Sequence, residues 1–254
     1  MHPTRRVQHD SRVPHRVAVL CRLSPPMNFA IGFFGYPFEG QYQQSITIEA
    51  DGFNNTLAPY KTCPPLKADR GRAKVAQWAG MYLARAVGRL QPLTKGYELR
   101  VEDVYVLQQL CAYETVALGY SKFCELFTEE EWDGFDYSLD SYSWYNSAFG
   151  FALGQPLGIG YVQELVARLT HTPIATHNSS TNGTLNDDPT TFLIGQSLYV
   201  DATHEVLVLQ VLTALSLSTL AAEGTLPADY ILQNRTFRSR ELAPFSPLVH
   251  LPPG

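Results

Sequence analysis

The stretch that decides the fold is SLYVDATHEV, residues 197–206. Residues 197–202 have the composition and length of a short strand. Thr203 then predicts the N-cap of an apolar helix that runs to about Leu217. His204 and Glu205 are expected in the first helical turn, beside backbone N–H groups that have no intrahelical partner, which is a place where anions bind. The simpler alternative is that Glu205 only favours the helix start electrostatically and that His204 is an ordinary neighbour.

Other segments show helical or strand periodicity. Apolar spacing predicts helices over residues 72–90, 104–118 and 158–169, and alternation predicts a half-buried strand over 45–49. The helix at 158–169 is expected to bury one stripe, made of Ile159, Val162, Val166 and Leu169.

A capping box is predicted ahead of Trp132. Thr128 can accept from the backbone of Glu131, and the Glu131 carboxylate can reach back to Thr128. The three consecutive glutamates there could also suggest a metal site, but capping accounts for them.

Composition excludes several classes of protein. The chain has 254 residues, of which 45% are hydrophobic, and a net charge of −5, which argues against a disordered protein, a coiled coil or a general nucleic-acid binder. The most apolar stretch, Val206–Leu217, is too short to span a membrane.

Residues 1–26 form an atypical basic segment. The first 22 residues carry a net charge of +4, whereas the remainder carries −9. A nucleic-acid-binding arm is one interpretation, but the run is short and contains proline. The apolar run Val17–Leu20 is too short for the core of a signal peptide.

The rest of the chain nevertheless has features of a secreted protein. Half of its eight asparagines lie in N-glycosylation sequons, which are those of Asn54, Asn178, Asn182 and Asn234. Of the four cysteines, Cys111 and Cys124 are spaced so that a bridge between them would close a short loop. Cys21 and Cys63 have no obvious partner, and four buried thiols are the alternative.

Several long segments resemble the fungal phytases and related histidine acid phosphatases. They are NFAIGFFGYPFEGQYQ (28–43), CAYETVALGYSKFCELFTEEEWDGFDYSLD (111–140), GIGYVQELVARLTHTPI (158–174) and SLYVDATHEV (197–206). The resemblance implies an α/β, phosphoglycerate-mutase-like fold with a helical cap domain, here incomplete and mostly helical. It places the cap at residues 27–170, the later part of the α/β domain at 171–245 and a tail at 246–254. It also implies a secreted, glycosylated protein and agrees with a Cys111–Cys124 bridge.

The resemblance further implies a two-step hydrolysis of a phosphomonoester through a phosphohistidine. Phytate or a related inositol phosphate is the implied substrate, and no metal or organic cofactor, nucleic acid or membrane is implied as a partner. His204-Glu205 occupies the position of the family's His-Asp pair, with His204 at the phosphate and Glu205 as the proton donor. Glutamate is a sound general acid with a longer reach than aspartate.

The family's nucleophile motif, R-H-G-x-R-x-P, is not intact in this sequence. The nearest string is Gln8-His9-Asp10-Ser11-Arg12-Val13-Pro14. Asp10 stands there in place of the glycine and would bring negative charge to the phosphate. We therefore expect a fragment of a family member, truncated at both ends and inactive. The alternative is a non-catalytic secreted glycoprotein on the same scaffold.

Overall fold

The computed structural model describes residues 15–19, 24–37, 40, 42–63, 70–178, 180–196 and 198–244. Their contacts divide the chain into two compact units. The first holds the described residues of Met1–Thr62 together with Gly160–His204, and the second holds those of Cys63–Ile159 and Glu205–Gly254. This division cuts the chain at other places than the four segments predicted from the sequence.

The first unit contains a three-stranded parallel sheet. Its strands are β1 (His15–Val19), β2 (Tyr42–Ile46) and β3 (Tyr199–Ala202), in the order β2-β1-β3. Val17 pairs with Gln44 on one side and with Val200 on the other. The strand expected at 45–49 therefore lies three residues earlier, and the strand expected at 197–202 is confirmed over Tyr199–Ala202.

The central strand lies in the segment that the sequence analysis set apart as atypical. Parallel neighbours need a crossover connection, and helix α1 (Ser24–Phe34) lies between β1 and β2 in the chain. This helix contains Pro25 and Pro26. Both fall in its first turn, where a missing backbone N–H costs no intrahelical hydrogen bond.

The second unit is helical. Its helices are α2 (Arg70–Tyr82), α3 (Ala84–Leu90), α4 (Val101–Leu118), α5 (Glu129–Ser147), α8 (Glu205–Ala214) and α9 (Ser239–Leu242). The single helix expected over 72–90 is thus divided at Leu83. Two further helices are α6 (Gly154–Thr170) and α7 (Gly183–Asn186). The boundary between the two units falls within α6, after Ile159, and α7 lies in the first unit.

Helices α2 and α5 pack closely because of glycine. A Cβ at Gly134 on α5 would lie 2.3 Å from the ring of Tyr82 on α2. The close approach also lets the Trp78 indole N–H donate to the Gly134 carbonyl at 2.8 Å. The surrounding core holds Trp78, Tyr137, Trp144, Leu209 and Phe237.

The capping box is confirmed at the start of α5. The Glu131 N–H donates to Thr128 Oγ1 at 3.3 Å, and the Thr128 N–H donates to Glu131 Oε2 at 2.9 Å. Arg89 adds an ion pair to the same carboxylate at 2.6 Å. Among the described residues there is no group of three or more His, Cys, Asp or Glu side chains that could hold a metal ion.

The predicted Cys111–Cys124 disulfide is present, with the two Cα atoms 4.9 Å apart. Cys63 is a free, partly buried thiol, and Cys21 lies outside the described residues. No helix in the described part of the chain is long and apolar enough to cross a membrane.

The predicted apolar stripe of α6 is wrong at two of its four positions, since Ile159 and Val162 are partly buried. Val166 and Leu169 are about half exposed, whereas Glu164 and Arg168 are buried. The helix is rotated because it buries an ion pair with β3, which hydrophobic periodicity cannot detect.

Candidate functional site

Two acid–base side chains lie just beyond the ends of the two outer strands of the sheet, β2 and β3. Glu49 follows β2 by three residues, and His204 follows β3 by two. Because the strands are parallel, their carboxyl ends share one edge, which is where ligands bind in open α/β sheets. The fold therefore places His204 at the edge where a binding site is expected.

His204 contacts Glu49 and Tyr60. Its Nε2 lies 3.4 Å from Glu49 Oε1, within ion-pair range, although the geometry is not that of a hydrogen bond. The Tyr60 ring meets the imidazole edge-on, with centroids 6.1 Å apart. The Tyr60 hydroxyl donates to Glu49 Oε1 at 2.5 Å. Glu49 and Tyr60 were not identified from the sequence as site residues. The available signal was the position of Glu49 at the end of the alternating pattern.

The loop that carries Glu49 and Tyr60 is held by the buried side chain of Asn55. Its amide donates to the Ile48 carbonyl at 2.9 Å and accepts from the Leu57 N–H at 3.0 Å. The Thr203 hydroxyl donates to the Leu57 carbonyl at 2.7 Å. These bonds fix both the loop and the residue before His204.

Glu205 is exposed and is the first residue of α8. The helix thus begins one residue later than an N-cap at Thr203 requires, and it ends at Ala214 rather than near Leu217. His204 consequently lies before the helix and not in its first turn. Glu205 belongs to the second unit and His204 to the first.

A buried ionic cluster lies along β3, close in sequence to His204. Arg168 on α6 pairs with Asp201 on β3, and Asp201 also accepts from the Tyr161 hydroxyl at 3.0 Å. The guanidinium lies over the rings of Phe192 and Tyr199, at 5.3 and 5.1 Å. Burial, with the Asp201 charge, raises the pKa of Tyr161 well above its usual value. The tyrosine therefore stays neutral and donates a hydrogen bond to the Asp201 carboxylate.

The four sequon asparagines differ in accessibility. Asn234 is exposed, and Asn54 is partly exposed. Asn182 caps α7 by accepting from the Thr184 N–H at 3.2 Å, and its amide donates to the Asn54 carbonyl at 3.3 Å.

The side chain of Asn178 is held within its own turn. Its Oδ1 accepts from the N–H groups of Ser180 and Thr181 at 2.8 and 3.0 Å. Its Nδ2, the atom that would carry a glycan, is buried without a hydrogen-bond partner among the described residues.

The string at residues 8–14 lies outside the described residues. In the chain, the string directly precedes the amino end of β1, whereas His204 follows the carboxyl end of β3.

Comparisons with known proteins agree with this fold. Residues 26–249 match the family described as the Histidine phosphatase superfamily (branch 2). Phytase A of Aspergillus oryzae is 34% identical over 178 residues, which are 68% of this chain and 38% of the relative. Phytase A of Aspergillus awamori is 31% identical over 222 residues, which are 84% of this chain and 47% of the relative.

A crystal structure of the phytase from D. castellii superposes with a TM-score of 0.72 at 23% identity, covering 93% of this chain and 48% of that chain. The likeness confirms the predicted histidine phosphatase fold. The chain spans less than half the length of each of these three relatives. It belongs to branch 2 of the histidine phosphatase superfamily, as a member of the fungal phytase and histidine acid phosphatase family.

Proposed function

We propose that this protein functions in the hydrolysis of phosphomonoesters and that inositol phosphates such as phytate are its substrate class. The observation that carries the proposal is the position of His204 at the carboxyl edge of the parallel sheet, in a chain of this superfamily. The protein is proposed to be secreted, in keeping with the sequons and the Cys111–Cys124 disulfide.

In this proposal His204 and Glu205 have different roles. His204 contacts the phosphoryl group, where an imidazole can donate to a phosphate oxygen as negative charge builds up in the transition state. Glu205 protonates the departing oxygen, a role that its exposed carboxyl can fill. The reaction proceeds in two steps: a histidine displaces the substrate alcohol to form a phosphohistidine, and water then cleaves the P–N bond to release inorganic phosphate.

The histidine that would accept the phosphoryl group is the missing part. The sequence contains no intact R-H-G-x-R-x-P motif, and a general acid has nothing to protonate without a nucleophile. We therefore expect the purified chain to turn over phytate and p-nitrophenyl phosphate far below about 1 per second at mildly acidic pH. Turnover at that level that is lost in His9→Ala would show instead that the string at residues 8–14 works as the nucleophile loop.

The absent motif also favours a second candidate, a non-catalytic secreted glycoprotein on the same scaffold. Supplying the motif separates the two functions. The experiment fuses the N-terminal part of Aspergillus oryzae phytase A to the chain, because this family carries R-H-G-x-R-x-P in that part. Glu205→Gln in the same fusion is the matched variant. Turnover that depends on Glu205 supports the enzyme. A folded fusion without turnover supports the non-catalytic protein.

A further inference from the structure

Glu49 is a buried carboxylate that no step of the proposed reaction uses. Its side chain is 10% exposed, against 43% for that of His204. Glu49 Oε1 accepts a hydrogen bond from the Tyr60 hydroxyl, while Oε2 is buried and has no hydrogen-bond partner among the described residues. His204 Nε2 is likewise buried and faces this carboxylate at 3.4 Å.

This arrangement bears on which ring nitrogen of His204 carries a proton. A bare Nε2, itself a buried atom, would point its lone pair toward a carboxylate oxygen, and the two would repel each other. An Nε2–H group is attracted to the same oxygen. The hydrogen bond at an apo site is often long or poorly aligned and tightens when a ligand binds.

The carboxylate is itself held in place. The Tyr60 hydroxyl fixes Glu49 Oε1, and the Tyr60 ring packs edge-on against the imidazole. The Asn55 side chain ties together the loop that carries both residues. The Glu49 carboxylate that faces His204 is therefore held in place by hydrogen bonds within its loop and does not rotate freely.

We propose that Glu49, supported by Tyr60, is a positioning residue that keeps a proton on Nε2 of His204 and leaves Nδ1 for the ligand, to which the ring donates when Nδ1 carries a second proton. This rests on the proposed function only for the identity of that ligand, the phosphoryl group. Glu49 is not itself a phosphate contact, because a carboxylate repels the anion.

The test is ¹⁵N NMR of the chain labelled at histidine. The chain has seven histidines, and the His204 signals are those that disappear in His204→Gln. The ring-nitrogen shifts report the tautomer directly, whether or not the chain is active. The variants are Glu49→Gln, which has nearly the same shape, and Tyr60→Phe, which removes only the hydroxyl. The control is Asp51→Asn, a charge change in the same loop at a side chain that is 92% exposed.

We expect the Nε2–H tautomer in the wild-type chain and in Asp51→Asn. Glu49→Gln should change the ratio of the two tautomers by about tenfold, the worth of a hydrogen bond to a charged group. Tyr60→Phe should change it in the same direction but less. On addition of inorganic phosphate, the Nδ1 signal of the wild-type chain should move more than the Nε2 signal.

An unchanged tautomer in folded Glu49→Gln, or an Nδ1–H tautomer in the wild-type chain, would overturn the inference whatever phosphate does. If Glu49→Gln changes the tautomer but phosphate moves neither nitrogen signal, the positioning role of Glu49 stands. The binding of the phosphoryl group at His204, which belongs to the proposed function, is then refuted.

Discussion

Arg168 on α6 and Asp201 on β3 form an ion pair in which both side chains are more than nine-tenths buried. Glu164, one turn earlier on α6, lies 3.5 Å from the same guanidinium and is also buried. Two carboxylates therefore share one cation in a site with little access to water. Such a cluster ties α6 to the strand that leads to His204, and removing its cation is expected to be costly.

Arg168→Met should destabilise the first unit by about 3–5 kcal/mol, because it leaves buried carboxylates without their cation. All three tryptophans lie outside this unit, at positions 78, 132 and 144. The measurement is therefore native-state hydrogen exchange at the β3 amides, which reports the free energy of local opening.

The matched control is Lys61→Ala in the same unit. Lys61 pairs with the exposed Asp51 at 3.5 Å, and such a surface pair is worth less than about 1 kcal/mol. Equal losses of protection in the two variants would show that the Arg168 cluster does not hold α6 against β3.

Glu164 predicts a pH dependence of stability. Burial raises the pKa of its carboxyl, and the Arg168 charge and the Asn186 amide offset only part of this rise. The folded state thus holds the proton more tightly than the unfolded state does. Stability linked to this group is full below the ordinary carboxyl pKa of about 4.5 and falls as pH rises through the raised folded value.

Glu164→Gln should remove this loss. Relative to the variant, the wild-type chain is expected to lose stability as pH rises from about 4 toward 7. Hydrogen exchange at the β3 amides, corrected for the intrinsic pH dependence of exchange, measures the difference. A gap that stays constant with pH would refute the assignment, and Asp51→Asn, at a side chain that is 92% exposed, is the control.

The same cluster marks a limit of sequence reasoning. The apolar spacing of α6 correctly gave a helix, but it assigned Val166 and Leu169 to the wrong face. Periodicity treats Glu164 and Arg168 as solvent-facing because a single charge is rarely buried. Their burial depends on Asp201, about thirty residues away in the chain, and one sequence does not reveal such a pairing.

Features that depend on residues close together in the chain were predicted correctly more often than features that depend on residues far apart. The capping box of Thr128 and Glu131 was predicted correctly because all its partners lie within one turn. The central strand β1 was missed because five residues among basic neighbours carry a weak pattern, and only pairing with β2 and β3 makes them a strand. For the same reason His204 was identified from its local pattern, whereas its neighbour Glu49 was not.

The disulfide in the second unit should contribute about 3 kcal/mol, because it closes a loop of about a dozen residues in the unfolded chain. The double variant Cys111→Ser, Cys124→Ser should lower the free energy of unfolding by that amount. Urea unfolding monitored by tryptophan fluorescence measures this free energy. Cys63→Ser is the control, since Cys63 forms no bridge. Recovery of Cys111 as a free thiol in non-reducing peptide maps of secreted protein would contradict the pairing.

The sequons should be used unequally in secreted material. Asn234 is exposed and should carry a glycan, whereas the buried Nδ2 of Asn178 has no room for one in this fold. Enzymatic removal of glycans in ¹⁸O-labelled water converts each occupied asparagine to a heavy aspartate that mass spectrometry detects. High occupancy at Asn178 would mean that the 178–181 turn adopts another conformation.

The last prediction concerns Glu205 in the fusion that carries an intact R-H-G-x-R-x-P motif. An inositol alkoxide is a poor leaving group and needs a proton in the transition state, whereas p-nitrophenolate leaves nearly unaided. Glu205→Gln should therefore slow phytate turnover by about 10²–10⁴-fold, the usual value of general acid catalysis, and p-nitrophenyl phosphate turnover far less.

His204→Ala should slow both substrates, because the lost contact is to the transferred phosphoryl group that they share. Equal slowing of both substrates by Glu205→Gln would instead mean that Glu205 positions the phosphate or the start of α8. If neither substrate responds to Glu205→Gln, the carboxyl only suits the positive end of the helix dipole. The leaving-group comparison thus separates proton donation from helix stabilisation, which a single substrate cannot do.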